Sequence, residues 1–392
     1  MAENIREIKF EEKIEEYLIT QGGYIKSNEI GYDSLKGYKP DSLIKFIKTT
    51  QEKNWDKLKR IYGDITEDYF LKMVEKQIKE FGLLETLRGK IKLNGLEFRL
   101  IYFKPETSIN YDTVNLYAQN ICECVRQLYY SINNNNSLDT VLFINGFPLV
   151  TLELKNQYTG QDVNNAVRQY KEDRDCNEPI FLFNERSLVH FAVDLFECKM
   201  TTRLANSKTF FLPFNQGSNG AGNVGGAGNP NNESGFGTSY LWEQVLRKDV
   251  LFDIIHKYMH LEYDKEKDKT WKNGKMIFPR YHQLDVVTKI VADVKKNGSG
   301  KNYLIQHSAG SGKSNSIAWL SYRLSSLHDI NNNKIFDSVI VITDRKVLDN
   351  QLQDTIYQFD HVDGIVEKID KNKTSKDLLK AINDGKKIII TT

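Results

Sequence analysis

Long apolar runs are missing from this 392-residue chain. Nothing approaches the roughly 18 residues of a membrane span, and the opening MAENIREIKFEEK has no basic-then-apolar secretion pattern. A cytoplasmic protein with no membrane partner is expected. Cysteine is scarce as well. The four thiols (Cys122, Cys124, Cys176, Cys198) are too few for a disulfide framework, and Cys122-x-Cys124 lacks the second half of a zinc site. Buried, reduced thiols are expected instead. With only 7 Pro against 40% hydrophobic and 27% charged residues, a disordered or collagen-like chain is excluded. An excess of one charge is also absent: 54 basic and 52 acidic side chains leave a formal charge of +2. The field of the whole molecule therefore argues neither for nor against nucleic acid, and any DNA-binding case rests on local sites.

At about 150 residues per domain the length predicts two to three domains. Phe10, Ile14, Tyr17 and Leu18 recur at helical spacing and Gly22-Gly23 stops the run, which predicts an N-terminal amphipathic helix. The span Tyr111 to Tyr130 reads either as one helix or as helix and strand. Thr140 to Ile144, then Asn145-Gly146, then Leu149 to Lys155 predict a β-hairpin whose first strand is buried on both faces. Its second strand ends by alternating, Glu153 and Lys155 on one face, Leu152 and Leu154 on the other. Gln161 to Arg174 reads as helical, and Ile180–Phe183 and Leu188–Leu195 as further strands. The expected organisation is a first α/β domain over 1–213, a flexible Gly/Asn-rich loop over 214–238, a helical connector over 239–274, and a parallel α/β domain over 275–392.

The strongest motif is Asn302-Tyr303-Leu304-Ile305-Gln306-His307-Ser308-Ala309-Gly310-Ser311-Gly312-Lys313-Ser314, an apolar strand entering a small-residue loop and then a helix. This is a P-loop in its required context. Backbone N–H groups of Gly310, Ser311, Gly312, Lys313 and Ser314 wrap the β-phosphate of ATP, Lys313 reaches the β and γ oxygens, and the Ser314 hydroxyl binds Mg²⁺. His307 stands where the usual pattern begins with Gly, a departure that resembles helicase-type P-loops. Gln283, about 30 residues upstream, has the acceptor and donor that match an adenine edge and resembles the Q motif of superfamily-two helicases. The resemblance to these helicases also implies that Arg345 and Lys346, after the buried run Ser338–Thr343, are candidate DNA-phosphate contacts.

A second constellation is Asp139 followed by Glu153-Leu154-Lys155. Two carboxylates on neighbouring strands supply hard oxygen ligands for Mg²⁺, with the Leu154 carbonyl as a further ligand. Such a site holds a metal-activated water against a phosphodiester while Lys155 positions the nucleophile or offsets developing charge.

The run Ser137 to Val150 leading into Leu152-Glu153-Leu154-Lys155-Asn156 resembles the nuclease core of type I restriction enzymes. Asn165-Ala166-Val167-Arg168-Gln169-Tyr170 falls on that family's glutamine–tyrosine helix, with Ala166 at the usual Gln position and Gln169 as its replacement. Phe10-Glu11 resembles the family's helical Glu beside the metal carboxylates. The resemblance covers most of the chain and implies a PD-(D/E)xK nuclease, a mixed sheet flanked by helices, followed by a partial RecA-like motor. It implies the restriction and translocation subunit: an ATP-dependent, Mg²⁺-requiring type I site-specific deoxyribonuclease acting on unmodified double-stranded DNA. Asp139, Glu153, Lys155, Gln169 and Tyr170 are its catalytic set, and Asp139, Glu153, Leu154, Glu11 and Ser314 its metal set. Modification (methyltransferase) and specificity subunits are the implied partners, S-adenosylmethionine belonging to the former.

No Asp-Glu dipeptide occurs in the sequence, so the acidic pair that usually completes such a motor is missing, and the chain is expected to be a truncated subunit without ATPase activity. Two other readings stay open: a non-catalytic remnant docking on the methyltransferase, and a stand-alone repair helicase-nuclease.

Overall fold

The computed structural model describes residues 2–107, 110–157, 160–233, 235–263, 270–343, 356, 365–369 and 373–391. They fall into two compact units, drawn from residues 1–105, 110–256 and 263–278, and from residues 106–109, 257–262 and 279–392.

The first unit is built on a seven-stranded mixed sheet. Its strands are β1 (Ile25–Ser27), β4 (Cys122–Tyr129), β5 (Ser137–Ile144), β6 (Phe147–Leu154), β7 (Val189–Val193), β8 (Cys198–Thr201) and β9 (Leu212–Pro213), ordered β1-β4-β5-β6-β7-β8-β9. β2 (Ile91–Leu93) and β3 (Leu96–Phe98) form a separate antiparallel hairpin. The β1–β4 and β6–β7 pairs are parallel and the others antiparallel. The hairpin β5–β6 lies at the centre, and every residue of it except Ser137 is buried. Asn145 and Gly146, at φ 48° and 89°, make its two-residue turn, the left-handed pair that matches strand twist. No larger residue fits at Gly146, because a Cβ there would stand 2.3 Å from the Lys39 carbonyl.

Tyr111–Tyr130 resolves into a helix, Tyr111–Ala118, and strand β4. The N-terminal helix α1 (Ala2–Thr20) buries Phe10, Ile14 and Leu18 as its spacing requires, but it also buries Glu11 and Glu15. Two other expectations need correction. Ile180–Phe183 is not a strand: Pro179–Phe181 is a 3₁₀ turn, for proline fixes φ and opens a helical turn at no cost in hydrogen bonds. The predicted helix Gln161–Arg174 starts at Val163 with an Asp162 capping box and passes into a π-turn, Gln169–Asp173.

The Gly/Asn-rich stretch carries its own hydrogen bonds, Gly217 N–H to Gly228 and Ser218 N–H to Gly226 carbonyls, and Asn229 Nδ2 donates to the Phe196 carbonyl. Asparagine amides supply there what apolar burial does not. Residues after it pack into the first unit: Trp242 is buried edge-on to Phe10, and the Tyr24 hydroxyl donates to the Leu246 carbonyl.

In the second unit, helices Tyr281–Asn297 and Lys313–Ser325 accompany a parallel sheet ordered Val339–Ile342, Ile388–Thr391, Val366–Lys368. The run Asn302–Gln306, predicted as a strand, pairs with nothing among the described residues, and Leu304 is 95% exposed. An apolar extended run becomes a strand only where a neighbouring edge accepts its backbone groups. Among the described residues no helix is long and apolar enough to cross a membrane.

Candidate active site

Register brings the carboxylates together. Thr140 pairs with Leu152 across β5 and β6, so Asp139 stands level with Glu153, and directly opposed residues of an antiparallel pair share a face. Asp139 is 8% exposed, Glu153 0% and Lys155 8%. The Leu154 N–H donates to Asp139 Oδ2 at 2.6 Å, so it is the amide of Leu154 that meets the carboxylate. Gln127 Nε2 donates to Asp139 Oδ1 at 3.2 Å and to Glu11 Oε1 at 2.8 Å, tying α1 to the hairpin. Glu11 Oε2 accepts from Arg126 Nε. Glu153 Oε1 accepts from Arg174, whereas Glu153 Oε2 is buried without a hydrogen-bond partner among the described residues.

The electrostatics express this crowding. Burial first, and the Asp139 charge second, push the Glu153 carboxyl well above its ordinary value, against the pull of Arg174 and Lys155. The same two causes push Glu11 up to about 7. Buried acids with an orphaned oxygen fit a divalent cation, whose charge inverts that penalty. No trio of His, Cys, Asp or Glu among the described residues could enclose a metal unaided. Mg²⁺ asks for less, since it keeps several waters and takes one or two carboxylates. Asp139 and Glu153 offer such a pair, and Glu11 is engaged by Arg126 and Gln127.

Tyr170 does not reach the carboxylates by hydrogen bond. Fully buried, its hydroxyl lies 2.7 Å from Thr151 Oγ1, which is 2.8 Å from His190 Nδ1. It supports the face of β6 that carries Glu153. Gln169 is half-buried and its side chain makes no hydrogen bond among the described residues. Three participants escaped the sequence reading: Arg126, Gln127 and Arg174. Arg174 had a signal, since Ala166, Tyr170 and Arg174 are four apart and the buried stripe continues through a charge. Gln127 had none, because its left-handed φ of 49° in mid-strand leaves no mark in the residue pattern.

In the second unit the P-loop bends through Gly310 (φ 73°) and Gly312 (φ 82°) into the helix beginning at Lys313. That helix start has no side-chain cap, which leaves first-turn N–H groups for an anion. Lys313 Nζ donates to the His307 and Ser308 carbonyls, at 3.1 and 2.8 Å, and so lies folded over the loop. The buried Ser311 hydroxyl has no partner among the described residues. Gln283 is 3% exposed; it donates to the Gly312 carbonyl at 2.8 Å and accepts from Arg280 N–H. In this structure it braces the loop. Arg345 and Lys346 lie outside the described residues.

Residues 9–209 match the family described as Type I restriction enzyme R protein N terminus, and residues 282–392 the family described as SWI2/SNF2 ATPase. The chain is 23% identical over 383 residues to the MjaVIIIP type I restriction enzyme endonuclease subunit assigned in Methanocaldococcus jannaschii, covering 91% of this chain and 32% of that protein. It is 24% identical over 384 residues to the SauCOLORF180P endonuclease subunit of Staphylococcus aureus, covering 96% and 36%. With the HindI endonuclease subunit of Haemophilus influenzae it shares 25% over 224 residues, covering 55% and 19%. The chain thus spans about a third of the length of the first two relatives. A mixed nuclease-type sheet followed by a P-loop unit agrees with both matches, and the chain belongs to the family of type I restriction enzyme R subunits, as their N-terminal region with a SWI2/SNF2 ATPase segment after it.

Proposed function

We propose that this chain supplies the DNA-cleaving site and the ATP-binding P-loop of a type I restriction endonuclease subunit that hydrolyses phosphodiesters of unmodified foreign DNA. The observation that carries the reading is the buried, level pair Asp139–Glu153 with Lys155 two residues on and one Glu153 oxygen without a hydrogen-bond partner among the described residues. Asp139 and Glu153 bind Mg²⁺. When bound, the ion supplies Lewis acidity toward the phosphate and activates water. The Leu154 amide and Gln127 fix the Asp139 carboxylate, and Lys155 holds the attacking water or offsets charge on the phosphate. At the P-loop, Lys313 swings from the loop carbonyls to the β and γ phosphates of ATP, and Ser314 contacts the accompanying Mg²⁺.

DNA recognition and methylation, with S-adenosylmethionine, belong to the specificity and modification subunits. The test is the complete complex assembled with Glu153→Ala or Lys155→Ala. Cleavage of unmodified plasmid is expected to vanish while DNA-stimulated ATP hydrolysis persists, the two sites lying in separate units. Full cleavage by either folded variant rejects the reading.

A further inference from the structure

An arginine holds Glu153. Arg174 follows the π-turn Gln169–Asp173 and is 4% exposed. Its Nε and Nη2 both approach the same oxygen, Glu153 Oε1, at 2.8 and 2.7 Å. Nη2 also donates to the Ser137 carbonyl at 2.7 Å, and the guanidinium lies 5.6 Å from the Tyr130 ring centre. An arginine meeting a carboxylate commonly spans both oxygens with its planar fork. Here the fork spends one arm on the start of β5 and converges on a single oxygen, so Oε2 is left without a hydrogen-bond partner among the described residues.

π-turns inside helices are concentrated at functional sites. This one ends where Arg174 must leave the helix to reach Glu153. Arginine is also the residue suited to such burial, being always charged and offering donors in a rigid plane.

We infer that Arg174 is the positioning residue of the metal-binding carboxylate: it pins Glu153 Oε1, reserves Oε2 for the divalent ion, and neutralises the buried acid before the ion arrives. The inference rests on the nuclease reading of Asp139, Glu153 and Lys155. It separates two jobs, charge compensation and aiming. Lysine does the first without the second, because a compact ammonium cannot hold Oε1 and the Ser137 carbonyl in one plane.

The test is Mn²⁺ binding to the metal-free 392-residue chain, followed by titration calorimetry or by the spin resonance of free Mn²⁺, with no DNA present. Groups that orient metal ligands typically govern 10–100-fold in affinity. Arg174→Met is expected to weaken binding by about that range, and Arg174→Lys by about tenfold. In the assembled complex, Arg174→Lys is expected to shift the half-saturating Mg²⁺ concentration for cleavage by the same factor and to recover rate at high Mg²⁺. A purely structural arginine would not move that midpoint. Unchanged Mn²⁺ affinity in Arg174→Lys overturns the inference, and does so even if Arg174→Met fails to fold. Glu153→Ala separates the two claims: if it binds Mn²⁺ as the parent does, the nuclease reading fails first. If it abolishes binding while both arginine variants match the parent, only the inference is lost.

Discussion

The sharpest quantitative consequence of the site lies behind it, at His190. This imidazole is 1% exposed, and burial alone pulls its pKa from 6.5 to about 3. In the unfolded chain it returns to the ordinary value. Below pH 6.5 the unfolded state therefore takes up a proton that the folded state refuses. Stability is lost as pH falls through 6.5 and goes on falling until the folded-state pKa near 3. Linkage gives a loss of about 2 kcal/mol between pH 7.5 and pH 5. Its Nδ1 lies 2.8 Å from Thr151 Oγ1, which lies 2.7 Å from the Tyr170 hydroxyl, so the neutral ring is held by a hydrogen bond inside the fold. His190→Asn removes the titration while retaining a polar group beside Thr151. Parent and variant are to be unfolded in urea with EDTA at pH 7.5, 6 and 5, following the fluorescence transition of the unit that buries Trp242. Carboxylate contributions cancel in the difference. The variant, whatever it loses at neutral pH, is expected to lose about 2 kcal/mol less than the parent on acidification. Parallel pH profiles would show that His190 takes up its proton in the fold as readily as in the unfolded chain, and would refute the reasoning.

Gln127 occupies a left-handed backbone position, which costs a side-chain-bearing residue roughly 1 kcal/mol; Gln127→Gly should therefore be more stable than Gln127→Ala, the reverse of the usual order in a strand, as read from urea midpoints. Glu11 is raised to about 7 in the fold, so the stability it contributes is complete below its unfolded value and disappears as pH rises through 7. Glu11→Gln should then gain on the parent between pH 5 and pH 8 in EDTA, and a constant offset in melting temperature across that range would contradict this. The 392-residue chain by itself is expected to release no phosphate from ATP in response to duplex DNA, because its sequence holds no Asp-Glu pair to position water. Turnover that disappears in Lys313→Ala would overturn that expectation.

The hairpin was legible because alternation, an Asn-Gly turn and continuous apolar content all demand the same element. From its register alone, Asp139 and Glu153 had to meet. The P-loop was legible from spacing, since glycines at 310 and 312 answer to the left-handed angles found there. What stayed hidden depends on tertiary partners. The helical spacing carries no mark of burial at Glu15, yet it is buried beside Arg126, where Glu11 also stands. Ile180–Phe183 has strand composition, but Pro179 redirects it. Asn302–Gln306 has strand composition too, yet pairing is a property of two segments and cannot be written into one. Gln283 carries the chemistry to meet adenine, and nothing in its spacing announces that its amide is bound to Gly312.

The β5–β6 hairpin also fixes an order of assembly. Asp139, Glu153 and Lys155 are brought together by closing a two-residue turn, and short loops close cheaply and fast. The groups that steady them come from afar in the chain, Glu11 from α1 and Arg174 from beyond the π-turn. Asp139, Glu153 and Lys155 are therefore neighbours early in folding, while their alignment waits for the last long-range contacts. A chain still on its way to the native state holds these three side by side without the rigidity that Glu11 and Arg174 add, so the proposed cleavage site is complete only when the whole unit has closed.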